Sequence, residues 1–193
     1  MLLNLPNKLT LLRIILIPFF MGFVLLGDNL GMISQLPVAH LVATVIFIAA
    51  SITDWLDGHL ARKWNLVTNF GKFADPMADK VLVMTALILL VGAEQAPAWV
   101  VAIIVARELA VTGLRLLLVE EGGTVLAAAW PGKIKTATQM LAIILLLVHD
   151  YPFQSLSMSI GTILLYISLF FTVYSGIDYF YHARFLFQGT LDK

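Results

Sequence analysis

Asp54-Trp55-Leu56-Asp57-Gly58-His59-Leu60-Ala61-Arg62, followed eight residues later by Gly71 and then by Asp75 and Asp79, is where the polar residues of an otherwise apolar chain collect. Of the twelve acidic residues in 193, four fall between positions 54 and 79, while 60% of the chain is hydrophobic. Asp54 and Asp57 are spaced i,i+3 and Asp75 and Asp79 i,i+4, so on helices each pair occupies one face. Two carboxylate claws then face each other across a short connection. Four bare carboxylates so close would repel and raise one another's pKa, and the arrangement is stable only if they are protonated or neutralised by cations. Two divalent ions balance four negative charges, and all-oxygen ligation with room for water and phosphate suits Mg2+ or Mn2+. Gly58, beside Asp57, has no Cβ and leaves space for a ligand against the backbone.

On either side of this stretch the chain is apolar at membrane-spanning length. A mean hydropathy of +0.93 with 12% charged residues points to a membrane protein, and 193 residues to a single domain over 1–193. Zero net charge argues against a nucleic-acid partner, whose binding leaves a strong basic excess. With no cysteine, neither disulfides nor thiol chemistry contributes. Lys8 and Arg13 before an apolar run imitate a secretory leader, but no small-residue cleavage site follows, so the run reads as a retained first helix.

The expected fold is all-α, with six transmembrane helices and a short N-terminal interfacial segment carrying Leu2, Leu3 and Leu5 before a helix start at Pro6-Asn7. The spans run from about Leu9 to Leu26, Pro37 to Leu56, Phe73 to Val91, Pro97 to Val119, Ile134 to Val148 and Leu156 to Phe180, judged against the ~20 residues a bilayer requires. Lys8, Arg13, Arg62, Lys63, Lys72, Lys80, Arg115, Lys133, Lys135, Arg184 and Lys193 then gather at one side, while the opposite turns hold Asp28, Glu94 and Asp150. The excess of positive charge makes that side cytoplasmic, and with it both termini and the aspartates. Trp55, Trp64, Trp99 and Trp130 fall near span ends, as interfacial aromatics do.

The run D-x-x-D-G-x-x-A-R-x8-G-x3-D-x3-D resembles the signature of the CDP-alcohol phosphotransferase family, with Asp54, Asp57, Gly58, Ala61, Arg62, Gly71, Asp75 and Asp79 filling every specified position. The resemblance implies a membrane enzyme of six helices, usually a homodimer, working in the cell's inner membrane with its active site toward the cytoplasm. It implies a nucleotide-activated lipid, CDP-diacylglycerol, as donor. Asp54, Asp57, Asp75 and Asp79 are the expected metal ligands and Asp79 also the catalytic base; Gly58, Ala61, Arg62 and Gly71 are expected to shape the cytidine diphosphate site. Pro6-Asn7-Lys8-Leu9-Thr10-Leu11-Leu12-Arg13 resembles the family's N-terminal segment, which places Thr10 near the nucleotide.

Arg107 falls about midway along the fourth span, next to Glu108, and a charge at that depth is expensive enough to mark either a functional site or a buried structural pair. Arg115 lies eight residues on, about 80° round the helix, and can border the same cavity. Lys133 and Lys135 open the fifth helix; alone they suit headgroup anchoring, and with Arg107 and Arg115 they suit an anion pocket. The succession A-R-E, T-G-L-R and G-K-I-K-T resembles the branch of the family whose acceptor is glycerol 3-phosphate, with these four residues holding its phosphate. His59 and His149 belong to no recognisable ligand spacing.

The expected function is transfer of a phosphatidyl group from CDP-diacylglycerol to glycerol 3-phosphate with release of CMP. Within the family the alternative is another acceptor: inositol phosphate, serine or phosphatidylglycerol. From another class the alternative is a divalent-cation transporter, since intramembrane acids also mark ion pathways. Against a transporter, the aspartates cluster toward one face rather than at midplane, and no paired broken helices are visible.

Overall fold

The computed structural model describes residues 5–33, 36–63, 69–120, 130–155 and 158–184; within them the side chains of 5–7, 54–63, 69–76, 79, 119–120 and 155 are outside the description. Among the described residues the chain forms six α-helices: α1 Leu5–Leu26, α2 Val38–Lys63, α3 Asn69–Gly92, α4 Ala98–Glu120, α5 Trp130–Leu147 and α6 Ile160–His182. The helix order is the expected one, and the differences lie at the ends. α2 continues seven residues past Leu56, so Asp57, Gly58, Ala61 and Arg62 belong to a helix. α3 begins at Asn69 rather than Phe73, and α5 at Trp130, where Pro131 in the first turn needs no hydrogen-bond donor. α1 begins at Leu5, so the helix takes in the last residues expected in the interfacial segment.

The end of α1 is set by glycine. Gly27 and Gly31 take φ of +51° and +84°, a region that side-chain-bearing residues avoid. Between and after them lie a 3-10 turn, Gly27–Leu30, and a small antiparallel ribbon of β1, Met32–Ile33, with β2, Leu36–Pro37. α6 starts at Ile160 rather than Leu156 because Ser159 caps it, its Oγ accepting from the Thr162 amide at 3.0 Å. The Asp150 carboxylate reinforces that cap, accepting from the Gly161 amide at 2.6 Å and from the Ser159 hydroxyl.

Packing follows side-chain size. α5 packs against α6, α1 against α2 and α3, and α4 against α6. Phe20 of α1 and Phe47 of α2 meet with ring centroids 5.8 Å apart, among Leu82, Leu87, Ile104, Ile143, Leu146 and Leu165. Ala39, Ala43 and Ala50 give α2 a small-residue face, which lets neighbouring backbones approach. Gly161 does the same for α6: a Cβ there would sit 2.8 Å from Leu146 Cγ.

The outside of the helices is apolar. Phe19, Leu25, Ile88, Leu116, Phe170 and Ile177 are all exposed, a surface that water tolerates poorly and a bilayer accepts. Residues 8–30 and Ile160–His182 are long and apolar enough to cross a membrane, and Val38–Thr53 and Lys80–Gly92 are shorter apolar stretches. The protein is thus helical, with the apolar exterior of a membrane protein.

Candidate active site

The backbone places Asp54, Asp57, Gly58, Ala61 and Arg62 on the last turns of α2, and Gly71, Asp75 and Asp79 on the first turns of α3, two helices that pack together. Their side chains lie outside the described residues. Helical backbone at both pairs preserves the i,i+3 and i,i+4 spacing that puts each pair on one face. The donor set is all carboxylate, and hard oxygen donors fit a hard divalent cation. Among the described residues no three His, Asp or Glu side chains come together as a metal-binding group. From α1, Thr10 and Arg13 are both fully buried, Arg13 being the largest buried polar side chain in the core.

Lys80, directly after Asp79 on α3, belongs to a cluster of charge inside the helix bundle. Glu108 Oε1 accepts from Arg107 Nη1 at 2.8 Å and also from Lys135 Nζ, joining α4 to α5. Arg107 Nη2 donates to Ser175 Oγ at 2.8 Å, joining α4 to α6. Gly176 makes room for this arginine, since a Cβ there would come within 3.1 Å of Arg107 Cγ. Lys80 Nζ donates to Thr112 Oγ1, whose own hydroxyl donates to the Glu108 carbonyl at 2.6 Å. One carboxylate thus binds two cations directly, and Lys80 is linked to its residue's backbone carbonyl through Thr112.

A cavity of about 60 Å³ opens between α3, α4 and α5 against this cluster, with Lys80, Glu108, Lys135, Thr136 and Gln139 as its polar wall and Leu87 and Ile104 in its apolar one. Lys135 is 7% exposed. A buried ammonium is costly unless paired, and Glu108 supplies the pairing.

The four basic residues grouped in the sequence are distributed differently. Lys135 lines the cavity, and Arg107 is joined to it through Glu108 while lying along the open groove between α4 and α6. Arg115 lies over the Tyr179 ring of α6, 5.3 Å from its centroid, and Lys133 is exposed, 5.6 Å from the Trp130 ring. Lys80, counted in the sequence only toward orientation, is the cation that shares the cavity with Lys135. Its position directly after Asp79, inside an apolar helix, was the available signal.

At the other end of α5 lies a second polar group, which includes His149. His40 Nδ1 and His149 Nε2 are 2.9 Å apart, and the Gln95 amide nitrogen is 3.2 Å from His149 Nδ1. These contacts tie the first turn of α2 and the α3–α4 connection to the turn after α5. Burial, then the neighbouring His40, push the His149 pKa down, against the opposing pull of Asp28 and Asp150.

Residues 3–174 match the family model described as CDP-alcohol phosphatidyltransferase, and the chain belongs to that family. It is similar to proteins named CDP-diacylglycerol--glycerol-3-phosphate 3-phosphatidyltransferase in several bacteria. The relative from Bacillus subtilis (strain 168) is 53% identical over 181 residues, covering 92% of this chain and 93% of the relative. That from Sodalis glossinidius (strain morsitans) is 40% identical over 187 residues, covering 94% and 96%. That from Escherichia coli (strain K12) is 38% identical over 188 residues, covering 94% and 95%.

Proposed function

We propose that this protein is a phosphatidylglycerophosphate synthase: it transfers the phosphatidyl group of CDP-diacylglycerol to glycerol 3-phosphate, releasing CMP. The observation that carries the reading is agreement between two independent features: full-length likeness to enzymes named for this reaction, and a buried cationic cavity on the helix that carries Asp79.

In the reaction a hydroxyl oxygen of the acceptor attacks the phosphatidyl phosphorus, the phosphorus–oxygen bond to CMP breaks, and CMP departs with the electron pair. Asp54, Asp57, Asp75 and Asp79 would hold two divalent cations, Mg2+ or Mn2+, whose bound charge offsets that of the diphosphate and the leaving CMP. Asp79 takes the proton from the attacking hydroxyl. Gly58, Ala61, Arg62 and Gly71 form the cytidine diphosphate site, with Gly58 admitting the nucleotide close to the backbone and Thr10 contributing from α1. Lys135, with Arg107 joined to it through Glu108, receives the acceptor's phosphate, which Arg grips with a fork and Lys as a point charge, while Arg115 on Tyr179 and Lys133 beside Trp130 stand apart from that cavity.

The donor's tails are in lipid and the acceptor is in water, so the site must open to both. Six helices crossing the inner membrane, with both termini and the aspartates cytoplasmic, achieve this, and a homodimer is the expected assembly. CMP release from CDP-diacylglycerol with a panel of acceptors tests the reading. Glycerol 3-phosphate is expected to support rapid turnover and free glycerol little; brisk turnover with serine or inositol phosphate alone would move the acceptor assignment and leave the family intact.

A further inference from the structure

Lys80, Lys135 and Glu108 line the cavity, and Glu108 also binds Arg107 from the adjoining groove. The space available is small: about 60 Å³ holds about four waters, at ~15 Å³ each in this measure. A phosphate entering here meets Lys135 already bonded to a carboxylate, so it must compete with that carboxylate for the ammonium.

We propose that Glu108 is the specificity-determining residue of the acceptor site: a built-in anion that holds Lys135 and Arg107 until a phosphate monoester replaces it on Lys135. The inference rests on the acceptor site assigned above. An uncharged alcohol brings nothing for which Lys135 can exchange its partner, so glycerol, serine and other acceptors without a phosphate leave the site closed. A dianion brings more charge than the carboxylate and three acceptor oxygens against its two. The product keeps the same phosphate monoester, and Glu108, still beside Lys135, recaptures the ammonium and helps the product leave. The exchange is non-covalent, and Lys135 is paired before binding, during it and after it. That avoids the cost of an uncompensated charge among apolar helices.

The test is steady-state kinetics of the full-length protein in lipid nanodiscs, with inorganic phosphate as a competing probe. Glu108→Gln removes the competing charge. At the separations within this cavity a unit charge is worth at least tenfold in affinity for an anion. The KM for glycerol 3-phosphate and the inhibition constant of inorganic phosphate are both expected to fall about tenfold or more, kcat to fall because release slows, and the KM for CDP-diacylglycerol to stay unchanged. A raised KM for glycerol 3-phosphate with unchanged phosphate inhibition would overturn the proposal and leave Glu108 as a brace between helices. If Glu108→Gln does not accumulate as folded protein, Glu108→Asp, with a shorter reach to Lys135, is expected to move both constants the same way by a smaller factor, and no movement would count against the proposal. Lys135→Ala separates the two levels: an unchanged KM for glycerol 3-phosphate sinks the acceptor site itself, whereas a raised KM there without the Glu108→Gln effect sinks only the role of Glu108.

Discussion

Asp57 and Asp79 stand for the two helices of the motif, and each has a distinct expected role. Asp57→Asn keeps the shape of the side chain and removes one charge from the ligand set, so activity is expected to vanish while the folded yield stays near wild type. Normal turnover at saturating Mg2+ would remove Asp57 from the site. Asp79→Asn is expected to lower kcat by more than the ~10²- to 10⁴-fold that base catalysis alone supplies; an effect confined to KM would take Asp79 out of the chemistry. These residues were legible because eight fixed identities at fixed spacing survive any error in helix boundaries. Glu108 was visible only as the neighbour of Arg107. Its second partner, Lys135, is 27 residues away on another helix, and no local pattern announces such a pair.

At the scale of the element, what decides each helix is its end. Apolar runs of membrane-spanning length set helix order and approximate length, but α2 was cut short because its last turns are polar and fail a hydropathy test while remaining helical. Ser159 capping α6 and the glycines after α1 set boundaries through hydrogen bonds and positive φ, which hydropathy does not register. His149, unassigned in the sequence, proves to be a clasp between helix ends. With the Gln95 amide nitrogen donating to Nδ1, the His149 proton sits on Nε2 and points to His40 Nδ1. Protonating His149 at Nδ1 breaks the contact with Gln95. A histidine whose folded pKa is depressed contributes stability above its unfolded value of about 6.5, and loses it as pH falls through the folded value. The wild type is therefore expected to melt at lower temperature as pH drops from 7 toward 5, and His149→Gln to show a flatter profile. Parallel profiles for the two would remove His149 from the pH response.

For the whole molecule, the apolar exterior and the helix order follow from composition, while orientation rests on the distribution of lysine and arginine. The described helices account for part of that distribution in a different way: Arg13 and Lys135 are buried in the bundle rather than displayed at a membrane surface. Topology is directly measurable because the chain has no cysteine to confuse labelling. Met32→Cys in the first connection and Trp130→Cys at the start of α5 are both exposed positions. An impermeant thiol reagent added outside right-side-out vesicles is expected to label the first and spare the second until the vesicles are opened. The reverse pattern would place the aspartate site on the outside and refute a cytoplasmic acceptor.

The central claim is a reaction, and the most direct measurement follows the acceptor into lipid. Purified protein in nanodiscs, given CDP-diacylglycerol, Mg2+ and glycerol 3-phosphate labelled with 14C in the glycerol and 32P in the phosphate, is predicted to form a lipid containing both labels in their original ratio. One CMP should be released per lipid formed, and EDTA should stop both. Loss of the phosphate label from the lipid, CMP release without lipid formation, or full activity in EDTA would contradict the proposed transfer.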